Sequence, residues 1–205
     1  MNIFAIQVAR AGSKSIPKKN YLNINNKPTY LHNIQYAQKS KLIQEVYIST
    51  DMKEIIEDNK ANIIVRPKHL CGDNCTLNKT LLHSIDIIEK EKNINIDIVV
   101  LLFGNNIGAY TDDLDKAIKL LLNDKKLDSV VSVGERNMFN PIRSWKLDKN
   151  NKVTNFLGKY QQEILKNKNT SDIGNRNCMG DTYFMNGSFF ILRKKTIIKN
   201  TSITF

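Results

Sequence analysis

Apolar residues along the chain alternate between short, nearly uninterrupted runs and segments in which they recur every three or four positions. Short runs bounded by polar or turn residues are typical of strands, and the wider spacing is typical of helices. The runs predict strands at 3–8, 46–49, 62–65, 97–103, 129–133 and 183–192. The wider spacing predicts helices at 29–40, 53–59, 77–90 and 112–123, with Asp51 capping the second.

This alternation predicts an α/β fold with a mostly parallel sheet and helices on both faces. The run 97–103 is almost wholly apolar, as expected for a central strand that is covered on both faces. Between 137 and 181 the pattern weakens into polar sequence rich in asparagine and lysine. We expect a single domain over 1–205, with 137–181 as an excursion from the sheet that serves in dimerisation.

Aromatic side chains within the excursion support the expected dimerisation. They are costly to leave in water and are enriched at protein interfaces. The aromatic residues are Phe139, Trp145, Phe156 and Tyr160, and the apolar Leu157 lies among them.

Charge narrows the class of partner. The net charge is +11, from 31 Lys and Arg against 20 Asp and Glu, which favours nucleic acids or phosphorylated small molecules. The chain lacks the aromatic-interleaved basic stripe of single-strand binders, so nucleic acid is the less favoured partner. No run reaches the roughly 18 apolar residues of a membrane span, and the N-terminus lacks signal-peptide features. A cytoplasmic protein without a membrane partner is therefore expected.

The three cysteines are Cys71, Cys75 and Cys178, and they include no CxxC pair. Cys71 and Cys75 stand four apart, which suits two ligands on one helical face. No histidine adjoins them closely enough to complete a tetrahedral site. Reduced structural thiols are the favoured interpretation over a metal site.

The loop 10–20, directly after the first predicted strand, carries the strongest chemical signal. Gly12 lets backbone amides approach an anion, and Ser13 adds a hydroxyl donor. Arg10, Lys14 and Lys19 bring three cations to the carboxyl end of a strand, where open α/β sheets bind ligands. A triphosphate needs this combination of positive charge and directed donors. The alternative is a lysine-rich surface loop, and neither a P-loop nor a dinucleotide motif is present.

The segment from Ala9 to Asn20 resembles the signature of the acylneuraminate cytidylyltransferases, the CMP-sialic acid synthetase family. Other matching pieces follow in order: Ser49-Thr50-Asp51, Arg66-Pro67 with Asp73 beyond, Asp115 to Ile118, Ser129 to Ser132 and Tyr183 to Phe190. The resemblance implies a Rossmann-like, glycosyltransferase-A-like nucleotidyltransferase fold. It also implies that CTP reacts with an acidic sugar to give a CMP conjugate and pyrophosphate, and that the protein is a homodimer.

The resemblance implies roles for individual residues. The CTP phosphates would be contacted by Arg10, Ser13, Lys14 and Lys19, with Arg10, Lys14 and Lys19 acting in catalysis. The rest of the nucleotide site would be formed by Asn20, which holds the loop, by Arg66, which reads the cytosine, and by Thr76 as a weaker candidate. The acceptor side would be formed by Arg176 and Asn186. Arg66 before a proline is also a common structural corner, and Asn186-Gly187 is also a plain turn signal.

The chain departs from the family after the central strand. It has Phe103-Gly-Asn-Asn-Ile-Gly-Ala109 where the family has Gln-Pro-Thr-Ser-Pro-Leu-Arg. A phenyl ring cannot replace the hydrogen bonds of an amide, so we expect Asn105 and Asn106 to bind substrate instead, with Phe103 pointing into the core. The alternative is that Gly104-Asn105-Asn106 is only a turn.

The expected cofactor is Mg²⁺, which bridges phosphates in such chemistry. The family places the metal-binding aspartates in a final Asp-x-Asp segment, and this chain ends at Phe205 without one. The metal ligands are therefore not identified from the sequence.

The favoured hypothesis is transfer of CMP from CTP to a nonulosonate, a sialic-acid-like sugar. The altered loop leaves open another acid, such as an eight-carbon sugar acid or a phosphonate. The missing aspartates leave three alternatives open: the chain is a piece of a longer protein, another aspartate binds the metal, or the protein is a non-catalytic CTP-binding homologue.

Overall fold

The computed structural model describes residues 1–13, 15–136, 139–167 and 181–199. Its strands are β1 Ile3–Ala9, β2 Asn23–Ile24, β3 Lys27–Pro28, β4 Glu45–Thr50, β5 Asn62–Val65, β6 Ile98–Phe103, β7 Ser129–Glu135, β8 Trp145–Leu147, β9 Val153–Asn155 and β10 Tyr183–Arg193. Its α-helices are α1 Thr29–Gln38, α2 Lys53–Asp58, α3 Leu77–Lys92, α4 Thr111–Asn123, α5 Lys159–Asn167 and α6 Lys194–Lys199. Short 3-10 helices lie at Lys19–Tyr21, Lys68–Leu70 and Pro141–Arg143.

Six strands form one sheet in the order β5-β4-β1-β6-β10-β7. Strand β1 pairs in parallel with β4 on one side and β6 on the other, and β4 pairs in parallel with β5. Strand β10 is antiparallel to β6. The prediction of a mostly parallel sheet is confirmed.

The register brings the carboxyl ends of three strands to one edge of the sheet. Ala9 at the end of β1 pairs with Thr50 at the end of β4, and Val8 pairs with Phe103 at the end of β6. Loops that leave these strands therefore start side by side, at the edge where open α/β sheets bind ligands.

Each face of the sheet has its own apolar core, because successive residues of a strand point to opposite faces. On one face, α1 and α4 bury residues such as Ile34 and Ile118 against Val100. On the other face, α3 and α6 pack with Leu81 and Leu101 among the fully buried side chains. Helices on both faces are thereby confirmed.

The chain forms two compact units, Met1–Ser132 with Gly187–Phe205, and Val133–Asn186. The second unit covers the region in which the hydrophobic pattern weakens, and it contains the hairpin β8–β9 and helix α5. The assignment of 1–205 as one domain and the dimerisation role of 137–181 stay predictions.

The predicted strands and helices are present, with ends shifted by at most two residues. The prediction that Asp51 caps α2 is wrong. Met52 occupies the capping position, and no side chain accepts a hydrogen bond there. The Asp51 carboxylate instead accepts a hydrogen bond from the Ala11 amide at 2.7 Å, in the loop after β1. None of the described helices is long and apolar enough to cross a membrane.

The two-sided burial of β6 predicts a large loss of stability when a core side chain is truncated there. Leu101 is fully buried, and Leu101→Ala should lower the free energy of unfolding by about 2–5 kcal/mol. Val65 in β5 is 61% exposed, and Val65→Ala should change it by at most about 0.5 kcal/mol. Urea denaturation measures both. Equal effects of the two substitutions would contradict the assignment of β6 to the core.

Candidate nucleotide-binding site

A pocket of about 250 Å³ opens in the first unit at the carboxyl edge of the sheet. Val8 and Phe103, near the ends of β1 and β6, form part of its wall. The loop 10–20 contributes Arg10, Lys19 and Asn20 to the same wall. Arg66 also lines the pocket, which thus brings together four of the residues predicted to bind a nucleotide, and their role in binding stays a prediction.

Two hydrogen bonds fix the ends of the loop 10–20. The Ala11 amide donates to Asp51 Oδ1 at 2.7 Å, and Asn20 Nδ2 donates to the Arg10 carbonyl at 2.8 Å. Asn20 is buried, so this bond is shielded from water. It ties the last residue of the loop to the first, which agrees with the shape-holding role expected of Asn20.

The charged side chains of the pocket wall are three cations and one carboxylate, namely Arg10, Lys19, Arg66 and Asp73. Arg10 Nη2 pairs with Asp73 Oδ1 at 2.7 Å, and both side chains are partly exposed. The positive charges exceed the negative one, so the pocket wall favours an anionic ligand.

Arg66 differs from the other two cations because it is buried. Its Nη2 donates to the Ser49 carbonyl at 2.9 Å, and its Nε donates to Ser49 Oγ at 3.3 Å. Burial lowers the pKa of Arg66, and the nearby Asp51 carboxylate acts in the opposite direction. A guanidinium stays protonated in proteins, so Arg66 keeps a fixed, oriented charge in the pocket wall.

Apolar side chains complete the wall. They are Val8, Leu70, Leu77 and Phe103. The Phe103 ring packs edge-on against Phe190, with ring centroids 5.5 Å apart. Phe103 packs against the core as expected, and its partly buried side chain also lines the pocket. Apolar surface beside fixed cations suits a ligand that joins a flat ring to phosphates.

The loop after β6 presents one of its two asparagines to the pocket. Asn105 is exposed and lines the pocket wall. Asn106 lies outside the wall, and its Oδ1 accepts a hydrogen bond from the Gly108 amide at 2.8 Å. Gly104 packs so tightly that an added Cβ would lie 2.8 Å from Ala9 Cβ and 3.2 Å from Asn20 Oδ1. The loop therefore needs glycine at 104 to lie against Asn20.

Two other predicted nucleotide ligands lie outside the pocket wall. Thr76 caps α3, where its Oγ1 accepts a hydrogen bond from the Lys79 amide at 3.4 Å. The Ser13 amide donates to the Ala11 carbonyl at 2.7 Å, which makes Ser13 part of the turn of the loop. Sequence reasoning identified Thr76 and Ser13 as polar residues near the site. It did not predict that each would bond to a nearby backbone group.

The remaining predicted residues are not brought to this pocket by the described structure. Asn186 belongs to the second unit, where its Nδ2 donates to the Val133 carbonyl at 3.4 Å. Lys14 and Arg176 lie outside the described residues. Sequence reasoning missed Asp73 as a partner of Arg10, although the spacing from Arg66-Pro67 had marked its position.

Cys71 and Cys75 are free thiols, and Cys75 lines the pocket. Burial raises the pKa of Cys71, and a hydrogen bond with Asp51 adds to the rise. A raised pKa keeps Cys71 as an unreactive thiol, which supports a structural role. Cys178 lies outside the described residues.

The described side chains do not form a Mg²⁺ site by themselves. Among them, no group of three or more His, Cys, Asp or Glu residues could hold a metal ion. Asp73 is the carboxylate in the pocket wall, and it is engaged by Arg10.

Comparison with known proteins identifies the family of the chain. A family model described as cytidylyltransferase matches residues 4–200. The chain belongs to the cytidylyltransferase family. The match covers both units and includes the loop 10–20 and the strands on either side of it.

Two relatives and one solved structure illustrate the range of the family. The chain is 32% identical over 167 residues to a pseudaminic acid cytidylyltransferase from Campylobacter jejuni, and the matched part covers 78% of this chain and 69% of that protein. It is 28% identical over 205 residues to a CMP-N,N'-diacetyllegionaminic acid synthase from Legionella pneumophila, which covers 98% and 82%. A solved CMP:2-keto-3-deoxy-manno-octonic acid synthetase complexed with CTP has a TM-score of 0.66 at 15% identity, covering 97% of this chain and 77% of that one. The last likeness confirms the nucleotidyltransferase fold.

Other relatives are much longer than the match. The match spans 29% of a Helicobacter pylori protein whose name joins a pseudaminic acid cytidylyltransferase to a hydrolase. It spans 32% of an N-acylneuraminate cytidylyltransferase from Escherichia coli. The chain therefore matches about a third of the length of these two relatives.

The pocket predicts different roles for two neighbouring lysines. Lys19 lines the pocket, whereas Lys18 pairs with Glu54 at 2.6 Å, and the hydrogen bond to Glu54 raises the pKa of Lys18. Lys19→Gln should weaken CTP binding by about 1–3 kcal/mol, because a charged hydrogen bond to phosphate is lost. Lys18→Gln is the matched control and should leave CTP affinity unchanged. Calorimetry that gave both variants wild-type affinity would rule out this role of Lys19.

Proposed function

We propose that the protein transfers CMP from CTP to an acidic sugar of the nonulosonate class and releases pyrophosphate. The observation that carries the proposal is the placement of Arg10, Lys19 and Arg66 around one pocket at the carboxyl edge of the sheet. Membership of the cytidylyltransferase family identifies CTP as the nucleotide that such a pocket would hold.

In the proposed reaction, a hydroxyl oxygen of the acceptor attacks the α-phosphorus of CTP. The new oxygen–phosphorus bond forms as the bond to the bridging oxygen of pyrophosphate breaks, and the hydroxyl proton passes to solvent or a nearby base. Arg10 and Lys19 stabilise the negative charge that develops on the phosphates, with Lys14 proposed in the same role. The cytidylyl group passes directly to the acceptor, so the reaction does not need a protein nucleophile.

Arg66 supports the reaction from a fixed position. Its guanidinium is held by Ser49 and lines the pocket, so its charge is presented there without rotating freely. We assign it to a carbonyl or phosphate oxygen of the nucleotide, which includes the cytosine contact expected from the resemblance. The apolar residues Leu70 and Leu77 would pack against the base.

The names of the relatives support a nonulosonate acceptor. Relatives at 28–32% identity are named for pseudaminic and N,N'-diacetyllegionaminic acids. The solved structure named for an eight-carbon acid is only 15% identical to this chain, so it shows a shared fold and does not indicate the acceptor. Asn105, which lines the pocket, is the described residue on which the proposed acceptor side rests, and the roles of Asn106, Arg176 and Asn186 stay predictions from the resemblance. An eight-carbon acid or a phosphonate is the closest alternative acceptor.

Mg²⁺ is part of the proposal as the expected cofactor of this chemistry. When bound, it would neutralise charge on the phosphates. The described residues contain no group of three or more His, Cys, Asp or Glu that could hold a metal ion, and no step above passes through the metal. We also propose a cytoplasmic location, as expected from the sequence.

The function is tested by pyrophosphate release from CTP with nonulosonates, with an eight-carbon sugar acid and without acceptor. Release should require a nonulosonate. Asn105→Ala should raise the KM for the acceptor more than the KM for CTP, because Asn105 lines the pocket beside the reacting groups. Asn150→Ala, at an exposed site in the second unit, serves as the control. CTP binding without turnover on any acceptor would instead identify a non-catalytic homologue.

We also propose a homodimer formed through the second unit. In the hairpin β8–β9, Leu147 pairs with Val153, and Trp145 lies two residues before Leu147 on the same face. These three side chains are 50–66% exposed. Such an apolar face is costly to leave in water and suits an interface.

The proposed interface predicts a measurable change of mass. Light scattering should give twice the mass of the chain, and Leu147→Lys should shift the protein towards the monomer, because a charge would be buried in the interface. Lys152→Ala, an exposed change in the turn between β8 and β9, should leave the mass unchanged. A monomeric wild-type protein at micromolar concentration would contradict the proposal.

A further inference from the structure

Asn33 is a fully buried amide in the middle of helix α1, and its side chain bonds to the loop after β6. Its Nδ2 donates to the Asn106 carbonyl at 2.8 Å and to the Phe103 carbonyl at 3.3 Å. Its Oδ1 accepts a hydrogen bond from the Ala109 amide at 3.2 Å. One side chain thus contacts the backbone at the beginning, middle and end of the segment 103–109.

Asn33 is a partner of the Asn106 carbonyl and of the Ala109 amide, and it adds a second donor to the Phe103 carbonyl, which also accepts from the Asn106 amide at 3.2 Å. A buried carbonyl or amide without a partner is costly, so the segment is held firmly where Asn33 reaches it. The Gly104 amide is held separately, since it donates to the Val8 carbonyl of β1 at 3.0 Å. The position of residues 106–109 therefore depends on α1 more than on the sheet.

The held segment carries Asn105 at the pocket. Asn105 is exposed and lines the wall, while Phe103 and Asn106 on either side of it accept the hydrogen bonds from Asn33. Fixing the carbonyls on both sides of Asn105 fixes the direction in which its side chain leaves the backbone. Asn33 lies outside the pocket wall and acts through this segment.

We propose that Asn33 is the positioning residue of the acceptor side of the site, where it sets the placement of Asn105 relative to the phosphate loop. This inference rests on the proposed function for its kinetic consequence. A displacement of about 1 Å can cost on the order of a hundredfold in rate when it separates reacting groups. Loss of the Asn33 bonds should therefore affect the acceptor and leave the nucleotide largely unaffected.

Two substitutions and one control separate this role from general stability. Asn33→Leu keeps the approximate size and removes all three hydrogen bonds. Asn33→Asp keeps an oxygen for the Ala109 amide but cannot donate to the two carbonyls. His32→Leu is the matched control, because His32 is also buried on α1 but bonds to the Ile24 carbonyl, away from the loop.

The first measurement compares the KM of the acceptor with the Kd of CTP. Asn33→Leu should raise the acceptor KM about tenfold or more and change the CTP Kd by less than about twofold. Asn33→Asp should also raise the acceptor KM, because its carboxylate would face the two carbonyl oxygens to which Asn33 Nδ2 donates, and it substitutes for Asn33→Leu if that variant does not fold. His32→Leu should leave the acceptor KM within about twofold of wild type. Equal changes for acceptor and CTP, or an equal effect of His32→Leu, would overturn the positioning role.

The second measurement is amide hydrogen exchange, which does not depend on activity. The Ala109 amide should exchange faster in Asn33→Leu than in the wild type and His32→Leu, because it loses its acceptor. Unchanged exchange would overturn the inference even if the acceptor KM rose. A wild-type protein that releases no pyrophosphate with any acceptor would defeat the proposed function, whereas the exchange result would still decide whether Asn33 holds the segment.

Discussion

Hydrogen bonds at the carboxyl end of β1 join it to the ends of β4 and β6, at the points where the loops begin. Thr50 donates its hydroxyl to the Ala9 carbonyl at 2.6 Å, and the Gly104 amide donates to the Val8 carbonyl at 3.0 Å. The Arg66 amide donates to the Thr50 carbonyl at 2.8 Å. The loops after β1, β5 and β6 therefore start from one fixed edge. The pocket wall consists of side chains from these loops, from helix α3, and from Val8 and Phe103 near the ends of β1 and β6.

The electrostatic character of the pocket follows from how differently its cations are held. Arg66 is desolvated and bonded to Ser49, so its charge is oriented and poorly screened. Lys19 and Arg10 are more exposed, and both belong to the region of the loop that Asn20 closes. A rigid buried charge beside adaptable exposed ones suits a ligand with a fixed ring and a flexible phosphate chain, as family membership leads one to expect.

Sequence reasoning succeeded where the signal was local and strongly periodic. The central strands and the long helices were predicted because apolar spacing repeats over whole elements, and the loop 10–20 followed from the end of β1. It failed where a side chain acts across the fold. Asp51 was assigned to the nearest helix, yet its partner Ala11 is forty positions away. Asn33 and the hairpin β8–β9 gave no signal, because a single buried amide or a pair of three-residue strands has no period.

The ion pair between Arg10 and Asp73 has a consequence for how the pocket fills. In the free protein, Arg10 already pairs with a carboxylate of the chain itself, because its Nη2 lies 2.7 Å from Asp73 Oδ1. An incoming phosphate that takes Arg10 performs an ion exchange in which one negative partner replaces another. The net positive charge that the pocket offers to a phosphate is then smaller than that of three cations alone. Binding should therefore depend less on ionic strength.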